Sequence, residues 1–222
     1  MQSLVRHHPL VEQVYFNQYD SFNYIYPYID VIEQYPVGVD VNDFAFFYLA
    51  NPQHNPSRQV RWTPVYLDPA GQGWLTTATY PIYLNDRFIG AVGFDITIRD
   101  LIAEVEAAQL PWEGFAMLVD EQRDVIALAD SGAERIGLTA LPTGFTDGQV
   151  MQERNQGSQH NLYSYPSFRP LVKALATQHG VQQYQLNDTT MMVGWATIAN
   201  TQWKLLTLVD KDILFAQTQK LD

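Results

Sequence analysis

There is no cysteine in this chain, which excludes disulfides, thiolate nucleophiles and cysteine-ligated metals. Positive charge is scarce: 13 Lys and Arg stand against 24 Asp and Glu, for a formal net charge of −11. So acidic a chain repels nucleic-acid phosphates and anionic lipid surfaces, and no nucleic-acid partner is expected. No run approaches the roughly 18 apolar residues of a membrane span. The opening MQSLVRHHPLVEQ lacks the apolar core of a signal peptide. The chain is therefore expected to be cytosolic or a soluble piece of a membrane protein. Its histidines, His7, His8, His54, His160 and His179, show no metal-ligand spacing on an expected element, and no metal is expected. Catalytic signatures are missing as well. There is no Gly-x-Ser-x-Gly elbow, Walker loop or Gly-x-Gly-x-x-Gly, and the turn Gly71-Gln72-Gly73 is too short to cradle a phosphate. No cofactor is expected.

What is present is apolar and aromatic. Hydrophobic residues make up 46% of the 222, with 13 Tyr and 5 Trp, enough for one large or two small globular domains. The stretch TYPIYLNDRFIGAVGFDITI (79–98) reads as a β-hairpin around Asn85-Asp86-Arg87. Its second run contains Gly90 and Gly93 and ends in a carboxylate, Asp95. A buried carboxylate needs hydrogen bonds or a cation, so its partner is either structural or a ligand. VYFNQYDSFNYIYPYID (14–30) reads as another hairpin, Phe44–Ala50 as a short helix or strand, and 99–110 as a helix ended by Pro111. The pattern then restarts. A strand–turn–strand at 114–130 and a loop-rich stretch at 137–170 lead to three strands and a terminal helix at 181–219. FIGAVGFDITIRDLIAEV and WKLLTLVDKDILFAQT are both strand, Asp, helix. The expected fold is α+β: two similar modules, 1–110 and 111–222, with antiparallel sheets flanked by helices.

At these residues the chain resembles the double Cache family, the tandem PAS-like sensor modules of bacterial receptors. WTPVYLDPAGQGWLTTATY followed by PIYLNDRFIGAVGFDITI resembles the membrane-distal module. GFAMLVDEQRDVIALAD and WKLLTLVDKDIL resemble the membrane-proximal one. The resemblance implies an extracytoplasmic, periplasmic sensor domain of a bacterial inner-membrane receptor, with a small solute bound in the distal module. It implies no catalysis in this domain; the cytoplasmic output would be a histidine kinase, a diguanylate cyclase or a chemoreceptor. Family members begin with a long helix, of which only the end is expected here, in residues 2–13. The chain is thus expected to be a fragment without that helix and both membrane spans. The full receptor would be a homodimer and the isolated domain weakly associating or monomeric.

The resemblance also nominates residues. Asp95 matches the position of an Asp that holds a ligand ammonium in amino-acid-binding members. Its structural alternatives are a cap on the helix starting near Arg99 or a pair with Arg87. Trp62, Tyr66 and Asp68, in WTPVYLD, match part of that family's binding stretch. The Arg expected two residues before the Trp is Val60, and Arg61 and Arg58 stand nearby out of register. Tyr24, Tyr26 and Tyr80 lie on strands expected to face the same pocket, where aromatic faces would suit a cationic amine. Core packing is the alternative for these aromatics. Asp210 is expected to cap the last helix. The expected ligand is an amine or an amino acid. The alternatives are a small carboxylate, a protein partner in place of any small molecule, or glycoside hydrolysis by paired carboxylates Asp68 and Asp95.

Overall fold

The computed structural model of the protein describes residues 1–30, 40–68, 73–107, 110–139, 160–199 and 201–218. Two compact units divide it. The first holds residues 1–100, and the second holds 101–139 and 160–218 of the described chain.

The first unit opens with a short helix, α1 (Gln2–His7), then a hairpin of β1 (Gln13–Gln18) and β2 (Asn23–Tyr26). The helix α2 (Ala45–Tyr48) follows, then the short strands β3 (Arg61–Trp62) and β4 (Tyr66–Leu67). The long hairpin of β5 (Trp74–Leu84) and β6 (Arg87–Thr97) completes the sheet. Its turn places Asn85 and Asp86 at φ 48° and 61°, the left-handed pair that matches strand twist in a two-residue loop. The sheet is antiparallel, in the order β2-β1-β6-β5-β3, with β4 also on β5. One face is covered by an aromatic cluster. Phe46 of α2 stacks on Phe44 (centroids 5.1 Å apart) and meets the rings of Tyr15 and Tyr66 at 5.7 Å each. The Thr79 hydroxyl donates to the Phe46 carbonyl at 2.8 Å and ties α2 to the sheet.

After α3 (Ile98–Ala107) the second unit repeats the plan. It runs β7 (Phe115–Val119), β8 (Val125–Leu128), α4 (Asp130–Ile136), α5 (Arg169–Ala174), β9 (His179–Leu186), β10 (Thr189–Thr197), β11 (Lys204–Asp210) and α6 (Lys211–Thr218). Its sheet order, β8-β7-β11-β10-β9, is that of the first. In each, the last strand of the unit pairs with the first and runs straight into a helix. Asp210 accepts from the Asp212 N–H at 2.8 Å, the cap expected of it. The helices α4 and α5 fall where the sequence showed no long apolar period; each is a turn or two whose buried side chains dock on the sheet. Of the residues 2–13 expected to be helical, Gln13 already belongs to β1. The expected turn at 69–73 and the loop-rich 137–170 lie partly outside the described residues.

The second core contains polar groups with fixed tasks. The buried Lys204 ammonium donates to the Thr177 carbonyl at 2.9 Å and to the Thr197 hydroxyl. Asp120 accepts from the Asp124 N–H at 2.8 Å across the β7–β8 turn. Burial, then the neighbouring Asp124 charge, pushes the Asp120 carboxyl up to about 7 against the turn's N–H donors. Folding therefore favours protonated Asp120. That stability is fully present below the ordinary carboxylate range and is lost as pH rises through about 7. Asp120→Asn keeps the acceptor without the charge. Its melting temperature should exceed that of the wild type at pH 8, by at most about 4 kcal/mol of stability, with a narrower gap at pH 5. Thermal denaturation at both pH values checks this; an equal or lower melting temperature at pH 8 refutes it.

Candidate functional site

Alternation along three neighbouring strands assembles the site. On β6, Ala91, Gly93, Asp95 and Thr97 are all buried on one face. Registered against them are Asn17, Tyr15 and Gln13 of β1 and Thr79, Thr77 and Leu75 of β5. Gly93 has no side chain because Tyr15, its cross-strand partner, lies there: a Cβ would sit 2.1 Å from the Tyr15 ring. Ile25 of β2 pairs with Tyr15 and extends this inner face.

The segment from Thr63 to Asp68 is laid alongside β5 by reciprocal bonds. The Thr63 N–H donates to the Thr77 carbonyl (3.0 Å), and the Thr77 N–H donates to the Thr63 hydroxyl (2.9 Å). This brings Tyr66 over the sheet, where its hydroxyl lies 2.7 Å from Thr77 Oγ1. Thr77 Oγ1 in turn donates to Asp95 Oδ1 at 2.6 Å. The Asp68 N–H donates to the Gly73 carbonyl at 2.9 Å.

Asp68 and Asp95 reach the same cavity, lined also by Gln13, Tyr15, Asn17, Ile25, Phe46 and Tyr66. The space left among these side chains holds roughly one water molecule. Asp68 is 4% exposed and Asp95 2%. Burial, then the Asp68 charge, pushes the Asp95 carboxyl well above the usual range, against the pull of the Thr77 hydrogen bond. Burial, then Asp95, raises the Tyr66 hydroxyl too. No Lys, Arg or His lines the cavity among the described residues. An anion would meet two acidic groups here; a cation would meet two acceptors and three aromatic rings.

Both structural alternatives for Asp95 are set aside by the geometry. The cap of α3 is Thr97, whose hydroxyl accepts from the Asp100 N–H at 3.0 Å. Arg87 lies at the far end of β6, with its guanidinium 3.4 Å from the Tyr19 hydroxyl.

Of the residues nominated from sequence, the structure brings together Tyr66, Asp68 and Asp95. It does not bring the others to the cavity. Tyr24 and Tyr26 pair with Phe16 and Val14, on the opposite face of the sheet from Tyr15, and Tyr24 is 60% exposed. Tyr80 pairs with Val92, also on that far face. Trp62 pairs with Ala78, whose side chain points away from Thr77 and Asp95. Arg61 is exposed. Arg58 is committed to Asp86 at 2.9 Å, with its guanidinium 3.9 Å from the Tyr83 ring centroid. For Tyr24, Tyr26, Tyr80 and Trp62 the cause is that a strand's side chains alternate, and these residues have the wrong parity; Arg61 pairs with Thr79 but is exposed, and Arg58 lies outside the strands. Sequence reading did not nominate Gln13, Tyr15, Asn17, Ile25, Phe46 or Thr77. The one signal for Tyr15 was Gly93 in an apolar strand, which marks a close approach.

In the second unit, an open groove runs over the sheet between Val181, Trp195 and Leu205. It is lined by no carboxylate among the described residues. They contain no group of three or more His, Asp or Glu able to hold a metal, and no helix long and apolar enough to cross a membrane.

Residues 10–103 match the family model described as the methyl-accepting chemotaxis protein-like first PDC sensor domain. The chain is 21% identical over 164 residues to the human voltage-dependent calcium channel subunit alpha-2/delta-2, and spans 14% of that protein's length. Among solved structures, the ligand-binding domain of the Pseudomonas aeruginosa amino acid chemoreceptor PctB, in complex with L-Arg, superposes with a TM-score of 0.62. Identity is 19%, over 99% of this chain and 75% of that one. The ligand-binding domain of the Pseudomonas fluorescens chemoreceptor CtaA, in complex with L-alanine, gives 0.61 at 18%, over 93% and 76%. The extracellular domain of the histidine kinase mmHK1S-Z3 gives 0.64 at 13%, over 100% and 81%. The chain therefore has the double Cache fold of such receptor ligand-binding domains, and its first unit carries the match to the PDC sensor domain of methyl-accepting chemotaxis protein-like receptors.

Proposed function

We propose that this chain is the extracytoplasmic, non-catalytic sensor domain of a membrane-anchored signalling receptor, and that its first module, residues 1–110, binds a small solute bearing an ammonium group. The second module, 111–222, relays the change. The observation that carries the ligand class is the pair Asp68 and Asp95, both buried and facing one cavity lined by no cationic side chain among the described residues. Buried carboxylates repel unless one is protonated or a cation sits between them. An –NH3⁺ head is about water-sized and fits the space present, while the rest of a ligand requires the lining rings to shift. The related folds bind L-Arg and L-alanine, so an amino acid is the natural comparison. Its carboxylate would need a cation, and Arg58 and Arg61 both lie outside the cavity. A simple amine fits the lining better.

Isothermal titration of the chain with ethylamine, ethanolamine, L-alanine and acetate tests this. The amines should bind most tightly and acetate should not bind. Because a ligand that binds only the folded state stabilises it by mass action, the amines should also raise the melting temperature. Tight acetate binding with silent amines sinks the reading.

A further inference from the structure

The second sheet leaves one long edge open. At the edges of the first sheet, β3 and β4 have two residues each and β2 has four, too short to hold a long partner strand. In the second sheet, β8 is covered. The Val125 N–H donates to the His160 carbonyl at 3.0 Å, the Leu162 N–H donates to the Arg123 carbonyl at 2.9 Å, and Asp124 bridges to Asn161. The opposite edge, β9, is eight residues long, and its register with β10 runs unbroken from Leu186 to His179.

The turn decides which backbone groups of β9 point outward. Asn187-Asp188 is a two-residue loop closed by Leu186 and Thr189, a pair that is hydrogen-bonded in such hairpins. Bonded pairs then recur at every second residue. The Thr197 N–H, which donates to the Gln178 carbonyl at 2.8 Å, lies on that series. So Gly180, Gln182, Tyr184 and Leu186 turn their backbone groups to β10, while Val181, Gln183 and Gln185 turn theirs to the open side. The His179 carbonyl, next in the outward series, accepts from the Thr177 hydroxyl at 3.3 Å. The backbone N–H and C=O groups of Val181, Gln183 and Gln185 have no partner among the described residues. All three residues are exposed.

Natural sheets guard such an edge with Lys, Pro or a bulge, and β9, HGVQQYQL, has none of them. Between Lys173 and Asp188 there is no Asp, Glu, Lys or Arg, in a chain whose net charge is −11. We propose that β9 is a docking edge for β9 of a second copy, paired antiparallel about a two-fold axis at Gln183. In that register Gln183 lies opposite itself and Val181 lies opposite Gln185 of the second copy. Every open N–H and C=O group of these residues then meets its counterpart. A register one residue away sets open backbone groups against groups already bonded to β10. A register two residues away sets Gln185 against His179, whose carbonyl is taken, or Val181 against the turn residue Asn187. The side chains select the same occupant. A carboxamide both donates and accepts, so glutamine is its own complement. No like charges meet along this strand, as they would over most of so acidic a surface. Contact along one strand edge is small, so the association is weak.

Sedimentation of the full chain from about 10 μM to about 1 mM, the range of a small interface, should show a reversible monomer–dimer equilibrium. Hydrogen exchange at the Val181, Gln183 and Gln185 amides should slow as concentration rises. Gln183→Pro removes an outward N–H, which an edge position tolerates. It should leave the melting temperature of the dilute chain nearly unchanged and weaken dimerisation at least about tenfold. Gln183→Lys and Gln183→Glu should each weaken it too, because like charges then face each other across the axis. An equimolar mixture of the two should dimerise more tightly than either alone. These two variants keep every backbone group, so they decide the matter even where Gln183→Pro destabilises the strand. A chain that stays monomeric throughout, a dimer that Gln183→Pro leaves intact, or a mixture no tighter than its components overturns the proposal. So does protection of the β9 amides that comes only on adding a foreign extended peptide.

Discussion

Asp95→Asn should melt higher than the wild type at neutral pH and lose amine binding by roughly a hundredfold or more. The two effects have opposite signs for one reason. In the wild type, burial raises the Asp95 carboxyl well above its ordinary range, so the folded state binds more protons than the unfolded one. Stability from this group is complete below the ordinary carboxylate range and drains away as pH rises toward the raised value. Asn keeps an oxygen to accept from Thr77, at 2.6 Å in the wild type, and carries no charge. It therefore removes the repulsion, and its advantage over the wild type widens with pH. For a bound ammonium, however, it removes a desolvated charge partner, worth on the order of 2–5 kcal/mol. Melting curves at pH 5 and 7, with titration against ethanolamine, check both halves. A variant that melts lower and binds amines normally would place Asp95 in a structural role.

Gly93→Ala carries the largest expected effect on the site's architecture. The new Cβ would lie 2.1 Å from Tyr15 Cζ and 2.2 Å from its hydroxyl oxygen, far inside contact distance. The ring cannot retreat into the core, because its edge already meets Phe46 at 5.7 Å. Tyr15 must leave the cavity wall or β6 must part from β1. Overpacking of this kind costs about 1–3 kcal/mol, and binding should fall with it. The second unit supplies the control. Gly180 lies under Trp195 in the same cross-strand relation, with a hypothetical Cβ 2.2 Å from the indole. Gly180→Ala should destabilise comparably and leave the amine affinity unchanged. Denaturant unfolding and titration of both variants separate the outcomes. Equal stability of Gly93→Ala and wild type would mean that the sheet absorbs the methyl group.

Much of the architecture could be read in the chain. Asn85-Asp86 between apolar runs specified the long hairpin, since few residue pairs tolerate two left-handed backbones in succession. The repeated strand, Asp and helix, ending in Asp95 and in Asp210, announced two units of one plan, and both sheets share one strand order. The two aspartates nonetheless act differently, and the sequence around them did not say so. Asp210 caps a helix, while Asp95 lies two residues further back in its strand, the cap position being held by Thr97.

Composition and local pattern by themselves determined the absence of thiol chemistry, the acidic surface, the α+β class, the duplication, and a carboxylate near the end of an apolar strand. Only the tertiary structure decided which face each strand turns inward. Large apolar or aromatic residues stand at both parities of β1 and β2, as Tyr15 beside Phe16 and as Ile25 between Tyr24 and Tyr26, so period-two reading cannot choose between them. In the run Thr76-Thr77-Ala78-Thr79 nothing local sets Thr77 apart. Register does, by pairing it with Asp95 and placing Tyr66 above it. A strand's own sequence fixes which residues share a face; its long-range partners fix which face is buried.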